Sequence, residues 1–257
     1  MLRRLRKSST HLAQAEKQSR YAAKHDALSG LANRAHFAEK LEDALGRIRS
    51  SSSAEKAIVA YIDVDRFKDV NDTLGHSAGD ILIKEVAARL SAHVRSGDLI
   101  ARYGGDEFAI LWLSADPNAP AILAGRIMRA LMSPIEIEGQ ALNVTASIGI
   151  AAAPEHGQTV DDVMRHADIA LYEAKNAGRN RAIVFSAGMA EQAEQRRAIE
   201  MDLQSAIADD QIDVAYQPIV SCTTHEVIGV EALARWTHPK LGFVSPAVFI
   251  PIAEQAG

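Results

Sequence analysis

The sequence predicts an α+β fold for its first two-thirds, and three observations carry that expectation. Apolar, β-prone runs at Ala57–Ile62, Leu99–Tyr103, Phe108–Leu113 and Val144–Ala151 interleave with amphipathic helical stretches. They do so without the strict βα alternation of a parallel barrel. The second and third runs are separated only by Gly104-Gly105-Asp106-Glu107. Two glycines between β-prone runs predict a two-residue hairpin, whose primed turn needs positive φ at its centre. From Ala190 a different pattern begins: a helix, two strand-like segments and a Pro-rich return.

Bulk properties narrow the class. At 257 residues the chain has room for one large domain or two smaller ones. A 47% hydrophobic and 24% charged composition is that of an ordinary globular protein. The net charge of −5 gives no basic footprint for nucleic acid. A single cysteine, Cys222, excludes an internal disulfide and fits a reducing compartment, so a cytoplasmic location is expected. No apolar stretch approaches the roughly 20 residues of a membrane helix, and the basic start MLRRLRK lacks the apolar core of a secretion signal.

In chain order, residues 1–24 read as a polar helical stalk with a thin heptad seam through Leu5 and Leu12. Asn33 is placed to cap a helix to about Ile48, and Ser50–Ser53 is a loop. Ala57–Ile62 fits a buried strand ending on Asp63-Val64-Asp65, where alternation puts Asp63 and Asp65 on one face. A short helix and a Gly75 break follow. A longer helix from about Ser77 to Val94 then carries Ile81, Leu82, Val86 and Leu90 on its apolar stripe. Phe108, Ile110 and Trp112 alternate with Ala109, Leu111 and Leu113, so that strand is expected to be buried on both faces. Helices near Ala119–Met132 and Val160–Gly178 and a strand at Ala182–Phe185 complete the unit. A helix to about Ala208 and strands Ile212–Val220 and Val227–Trp236 form the second.

Asp63, Asp65, Asp106 and Glu107 all fall at strand ends, and neighbouring strands would gather them into one cluster. Hard carboxylate oxygens suit Mg²⁺ that also holds substrate phosphates. Lys68, Lys175 and Arg179 supply cations, the last two expected on one helix face from their spacing of four. Acids, a glycine turn and lysines together point to metal-assisted phosphoryl or nucleotidyl transfer. The nine histidines form no metal-ligand motif, the serines no nucleophile elbow, and Trp112 and Trp236 read as core.

These residues also carry a family resemblance. GGDEF (Gly104–Phe108) is the signature of the GGDEF diguanylate cyclases, and it is flanked in family order by DALSGLANR (Asp26–Arg34), DVDRFKDVND (Asp63–Asp72), GHSAGD (Gly75–Asp80), SIG (Ser147–Gly149) and AKNAGRN (Ala174–Asn180). Ser29 stands where threonine is usual. The resemblance spans residues 25–187 and implies a palm-like nucleotide-cyclase fold, a central mainly antiparallel sheet flanked by helices. It implies Mg²⁺ (Mn²⁺ as a substitute) held by Asp63, the Val64 carbonyl and Asp106, with Glu107 as base or second-metal ligand. Asn71 and Asp80 would read guanine beside Phe67. Lys68, Lys175 and Arg179 would hold the phosphates against the Gly104-Gly105 turn. Two chains, each with one GTP, would pair to make cyclic di-GMP. Arg95 and Asp98, just upstream of Gly104, resemble the family's inhibitory product site, with Arg126 as a further contact.

The tail, residues 188–257, resembles the start of an EAL phosphodiesterase domain through YQPIV (Tyr216–Val220), GVEALARW (Gly229–Trp236), His238-Pro239 and Phe249–Glu254. That domain is a TIM-type barrel of about 250 residues, and only about 70 follow residue 187. Glu231 alone of its acidic metal ligands is present, so hydrolysis is expected to be absent and the tail to pack poorly. The chain thus reads as a piece of a longer two-domain enzyme, any membrane link lying upstream. The expected function is a product-inhibited, dimeric diguanylate cyclase. The alternatives are a silent GTP- or cyclic di-GMP-binding module and, disfavoured, an EAL hydrolase.

Overall fold

The computed structural model describes residues 21–51, 54–95 and 97–256. The expected stalk therefore lies almost wholly outside the described residues, as does part of the serine loop. Two compact units meet in the chain between Ser186 and Ala187.

The first unit begins with β1 (Ala32–Asn33), α1 (Arg34–Ser50), β2 (Lys56–Val64), α2 (Phe67–Leu74), α3 (His76–His93), β3 (Leu99–Gly104) and β4 (Glu107–Ser114). It continues with α4 (Ala119–Leu131), β5 (Ile135–Ile137), β6 (Gln140–Leu142), β7 (Ala146–Ala153), α5 (Val160–Asn176) and β8 (Ala182–Val184). Six strands form one sheet in the order β1-β3-β4-β2-β7-β8. Its outer pairs β1/β3 and β7/β8 are parallel and the inner pairs antiparallel, so the sheet is mainly antiparallel. The β5–β6 hairpin was not anticipated; Glu138 and Gly139 at its tip take positive φ, which only a short turn requires.

Strand alternation distributes the core. Ile58, Ala60, Ile62 and Val64 of β2 share a cluster with Leu82, Ile83, Val86 and Leu90 of α3 and Leu123 and Ile127 of α4. Each of the valine, leucine and isoleucine side chains among them contributes roughly 1.5–3 kcal/mol of transfer free energy. Val59, Tyr61 and Asp63 take the opposite face, where α1 and α5 lie. β4 is buried on both faces as its sequence implied, from Phe108 through Trp112. On α3 the buried stripe contains Ile83, whereas Ile81 is 41% exposed. The helix seats its Ala78-Gly79 surface on the neighbouring elements, which rotates Ile81 outward.

Two further expectations are corrected. Gly104 is the last residue of β3 and pairs with Glu107, with a register shift after Arg102, so the hairpin tip is Gly105-Asp106. Only Gly105 of that pair needs the left-handed backbone (φ 47°). α5 ends at Asn176, and Arg179 sits past it in a turn (φ 62°), so Lys175 and Arg179 do not share a helix face.

The second unit contains α6 (Ala187–Ala208), antiparallel β9 (Ile212–Val220), β10 (Val227–His238) and β11 (Gly242–Val244), and α7 (Pro246–Ala256). Ile199, Leu203, Trp236, Val244, Phe249 and Ile252 form its small core. Among the described residues no closed barrel forms. Val214, Tyr216, Val227, Ile228, Val230 and Phe243 are exposed, which is what two long strands without a covering layer leave behind.

Candidate active site at the β3–β4 turn

The antiparallel register of β2 and β4 sets Asp63 directly opposite Glu107, at the end of the sheet where the β3–β4 turn lies. Asp106 occupies the tip, and the Val64 N–H donates to its carbonyl (3.3 Å). Lys175 reaches the cluster from the last turn of α5, its Nζ 2.6 Å from Asp63 Oδ2. That approach depends on Gly149 of β7: a Cβ there would stand 1.9 Å from the Ala167 carbonyl oxygen and 2.2 Å from Leu171 N. The bare glycine lets α5 lie on the sheet, and one turn beyond Leu171 comes Lys175.

The electrostatics of the cluster favour a cation. Burial pushes the Asp63 carboxyl up, Lys175 opposes the rise, and Asp106 and Asp65 add to it. Burial also raises Asp106, with Glu107 adding to the rise and Lys175 and Arg102 opposing it. Like charges held together out of water seek a counterion. Among the described residues no group of three or more His, Cys, Asp or Glu side chains is arranged to cage a metal alone. Two neighbouring carboxylates fit a Mg²⁺ that takes its other ligands from water and phosphate.

Asp65 does not join the cluster as a free ligand. Its oxygens accept from Thr145 Oγ1 and Ser147 Oγ, each at 2.7 Å, and from the Asn180 N–H at 3.1 Å. β2 has ended at Val64, and beyond the strand Asp65 instead ties the β7 entry to the turn carrying Arg179.

Several participants had not been read from the sequence. Asp168, two helical turns before Lys175, is raised first by burial and then by Glu107, and Asp63 adds to the rise. Its spacing of seven from Lys175 was the available signal. The Tyr61 hydroxyl donates to Glu107 Oε2 at 2.9 Å, and alternation from Asp63 would have found it. Arg102 donates through Nε and Nη2 to the Gly105 carbonyl (2.9 and 2.7 Å) and through Nη1 to Asp26 Oδ1 (3.1 Å). Asp26 Oδ1 in turn accepts from the Ser29 N–H and hydroxyl. The DALSG loop thereby braces the turn from outside.

The predicted base-reading residues lie on α2 and in the first turns of α3. Asn71 and Phe67 of α2 crowd against Gly79 of α3, where an added Cβ would stand 2.0 Å from Asn71 Oδ1 and 3.1 Å from Phe67 Cζ. Asp80 follows Gly79 and is exposed, as is Lys68. At the far end of β4, the Arg95 and Arg126 guanidinium carbons lie 5.4 and 5.2 Å from the Trp112 ring centroid. Asp98 Oδ2 accepts the Arg95 N–H at 2.8 Å. Arg95, Asp98 and Arg126 are thus gathered, well apart in the strand from the acids.

Comparison with known proteins adds to this geometry. The family model described as "Diguanylate cyclase, GGDEF domain" matches residues 23–181, and an EAL-domain model matches residues 200–257. The chain is 40% identical over 250 residues to the bifunctional diguanylate cyclase/cyclic di-GMP phosphodiesterase MucR of Pseudomonas aeruginosa, covering 97% of this chain and 36% of MucR. The chain spans about a third of the length of the curated relatives it matches. Among solved structures, the GGDEF domain of TpbB (YfiN) from Pseudomonas aeruginosa aligns with a TM-score of 0.63 at 36% identity, covering 66% of this chain and 99% of that one. The coiled coil and GGDEF domain of DgcB from Caulobacter crescentus, in complex with c-di-GMP, aligns with a TM-score of 0.61 at 30% identity, covering 70% and 97%. Since its family model matches well over half of the residues, the chain belongs to the GGDEF family.

Proposed function

We propose that the chain is a diguanylate cyclase, joining two GTP into cyclic di-GMP with loss of two pyrophosphates. The observation that carries this reading is the pairing of Asp63 with Glu107 across β2 and β4, with Asp106 at the turn and Lys175 2.6 Å from Asp63. Asp63, the Val64 carbonyl and Asp106 would hold Mg²⁺, or Mn²⁺ in its place; when bound, the ion neutralises phosphate charge. Asn71 and Asp80 present an amide and a carboxylate that match the donor and acceptor edge of guanine, and Phe67 flanks the base. Lys68, Lys175 and Arg179 neutralise the β- and γ-phosphates, and the Gly104-Gly105 backbone leaves room for them. Each 3′-hydroxyl oxygen attacks the α-phosphorus of the GTP on a second copy of the chain. Its proton leaves toward Glu107, and the bond to the pyrophosphate oxygen breaks. Cyclic di-GMP feeds back on Arg95, Asp98 and Arg126, where guanidinium groups suit phosphate or a guanine edge.

The test is incubation with GTP and Mg²⁺, following cyclic di-GMP by chromatography. Product is expected from the native chain and none from Glu107→Gln, whose GTP binding should persist. GTP binding without product in the native chain would assign it a binding role instead. Arg95→Ala should relieve product inhibition. The residues of the EAL match carry one exposed candidate ligand, Glu231, and we assign them no hydrolytic activity.

A further inference from the structure

Tyr61 stands where a core strand asks only for an apolar side chain. It lies in β2 between Ala60 and Ile62 and is 7% exposed, and a phenylalanine would fill the same space. Its hydroxyl is therefore the feature to account for, since a buried hydroxyl is costly unless it finds a partner. That partner is Glu107, whose Oε2 accepts from the phenol at 2.9 Å. Among the described residues this is the only hydrogen bond the Glu107 carboxylate makes, so Oε1 is left open.

The sheet aims the ring at this contact. Asp63 pairs with Glu107 across β2 and β4 and Tyr61 pairs with Ala109, so Tyr61 and Glu107 are diagonal neighbours on one face. That separation is within reach of an aromatic side chain. On the other flank Tyr61 pairs with Gly149 of β7, and neither small neighbour has a side chain that would displace the ring. Tyr103 packs edge-on against Tyr61, ring centroids 5.3 Å apart, and Phe37 packs edge-on against Tyr103 at 5.9 Å. The phenol is thus held by packing before any substrate arrives. Glu107, by contrast, has room to leave. It borders a cavity of about 530 Å³ that Arg34 of α1 and Arg165 of α5 also line. Two guanidinium groups there attract its carboxylate away from the turn.

We propose that Tyr61 is a positioning residue for the reaction: its hydroxyl holds Glu107 by Oε2 at the turn, against the pull of Arg34 and Arg165, and leaves Oε1 to serve the 3′-hydroxyl. Tyr61 touches no substrate and exchanges no proton; it acts only through Glu107. The inference rests on the cyclase reading above. It holds for Glu107 as base or as second-metal ligand, because each role needs the carboxylate kept beside Asp63.

Initial rates of cyclic di-GMP formation against GTP concentration are measured for the full native chain, Tyr61→Phe, Tyr61→Leu, Glu107→Asp and the double variant Tyr61→Phe with Glu107→Asp. Tyr61→Phe keeps the ring and removes one oxygen. Its kcat should fall by about tenfold with KM unchanged, because a misplaced group costs rate in the transition state rather than binding. GTP affinity by calorimetry, with Ca²⁺ so that no turnover occurs, should match that of the native chain and shows the variant to be folded. Tyr61→Leu should lose at least as much; a loss in the leucine variant beside a native kcat in the phenylalanine variant assigns a packing role and overturns the proposal. Glu107→Asp shortens the side chain by one methylene and withdraws the carboxylate from the phenol. In that background Tyr61→Phe should change the residual kcat by less than about twofold. An equal fall in both backgrounds overturns the proposal, as does a raised KM with kcat intact. Should the native chain itself make no cyclic di-GMP, the cyclase reading fails and this inference with it. An active native chain matched by Tyr61→Phe removes this inference alone.

Discussion

Two carboxylates near the turn respond to pH in opposite senses, because their surroundings differ. Asp106 is raised above 3.8 by burial and by Glu107. A raised acid contributes stability in full below its unfolded value, and that contribution is lost as pH rises through the folded one. At pH 7, with chelator present, its ionised form therefore opposes folding. Asp106→Asn should raise the melting temperature by a few degrees there, and by less at pH 4, in thermal scans, while abolishing product. Asp26 behaves in the reverse way. Burial acts to raise it, but the hydrogen bonds from Ser29 and Arg102 outweigh burial and hold it below 3.8. Its stabilisation is present above that value and fades as pH falls. Asp26→Asn should cost about 1 kcal/mol at pH 7, read by urea denaturation, and should slow turnover because Arg102 loses its outer anchor. At Gly79 the constraint is steric. Gly79→Ala would push Asn71 aside, so GTP affinity should fall by about tenfold with little change in melting, as calorimetric titration would register.

At the scale of elements, caps and periodicity made most of the first unit legible. Asn33 accepts the His36 N–H at 2.9 Å and starts α1 as its sequence implied. Thr159 accepts the Asp162 N–H at 3.1 Å and starts α5. Errors arose where a neighbour outvoted local pattern: Ile81 yields its place to Ile83 because α3 seats on its Ala78-Gly79 surface, and the hairpin tip moves one residue because β3 shifts register after Arg102. The seat of α5 on Gly149 is a tertiary fact of the same kind. Gly149→Ala drives a methyl into the Ala167 carbonyl, and a cost of about 3 kcal/mol is expected from denaturant titration. Activity should fall further than stability alone explains, since Lys175 retreats from Asp63.

Across the whole molecule, burial is unevenly shared. β2 and β7 lie deep in the first unit, and β9 and β10 expose much of their apolar surface. Native-state hydrogen exchange should therefore be about two orders of magnitude faster in β9 and β10 than in β2, β4 and β7. Uniform protection along the chain would contradict the idea that the tail lacks its covering layer.

The acids at the strand ends and the glycine turn between them were readable in one dimension, because each residue type advertises its chemistry and strand period places it on a face; the placing of Arg179 was not, since α5 ends before it. Asp65 had the right chemistry and the wrong role, since Thr145, Ser147 and the Asn180 amide reach it from distant parts of the chain. Arg102 and Asp168 likewise depend on which elements become neighbours. Local sequence determined what each element is; long-range packing decided which side chains stand free to act and which are already engaged, because hydrogen bonds and burial between remote segments leave no local period to read.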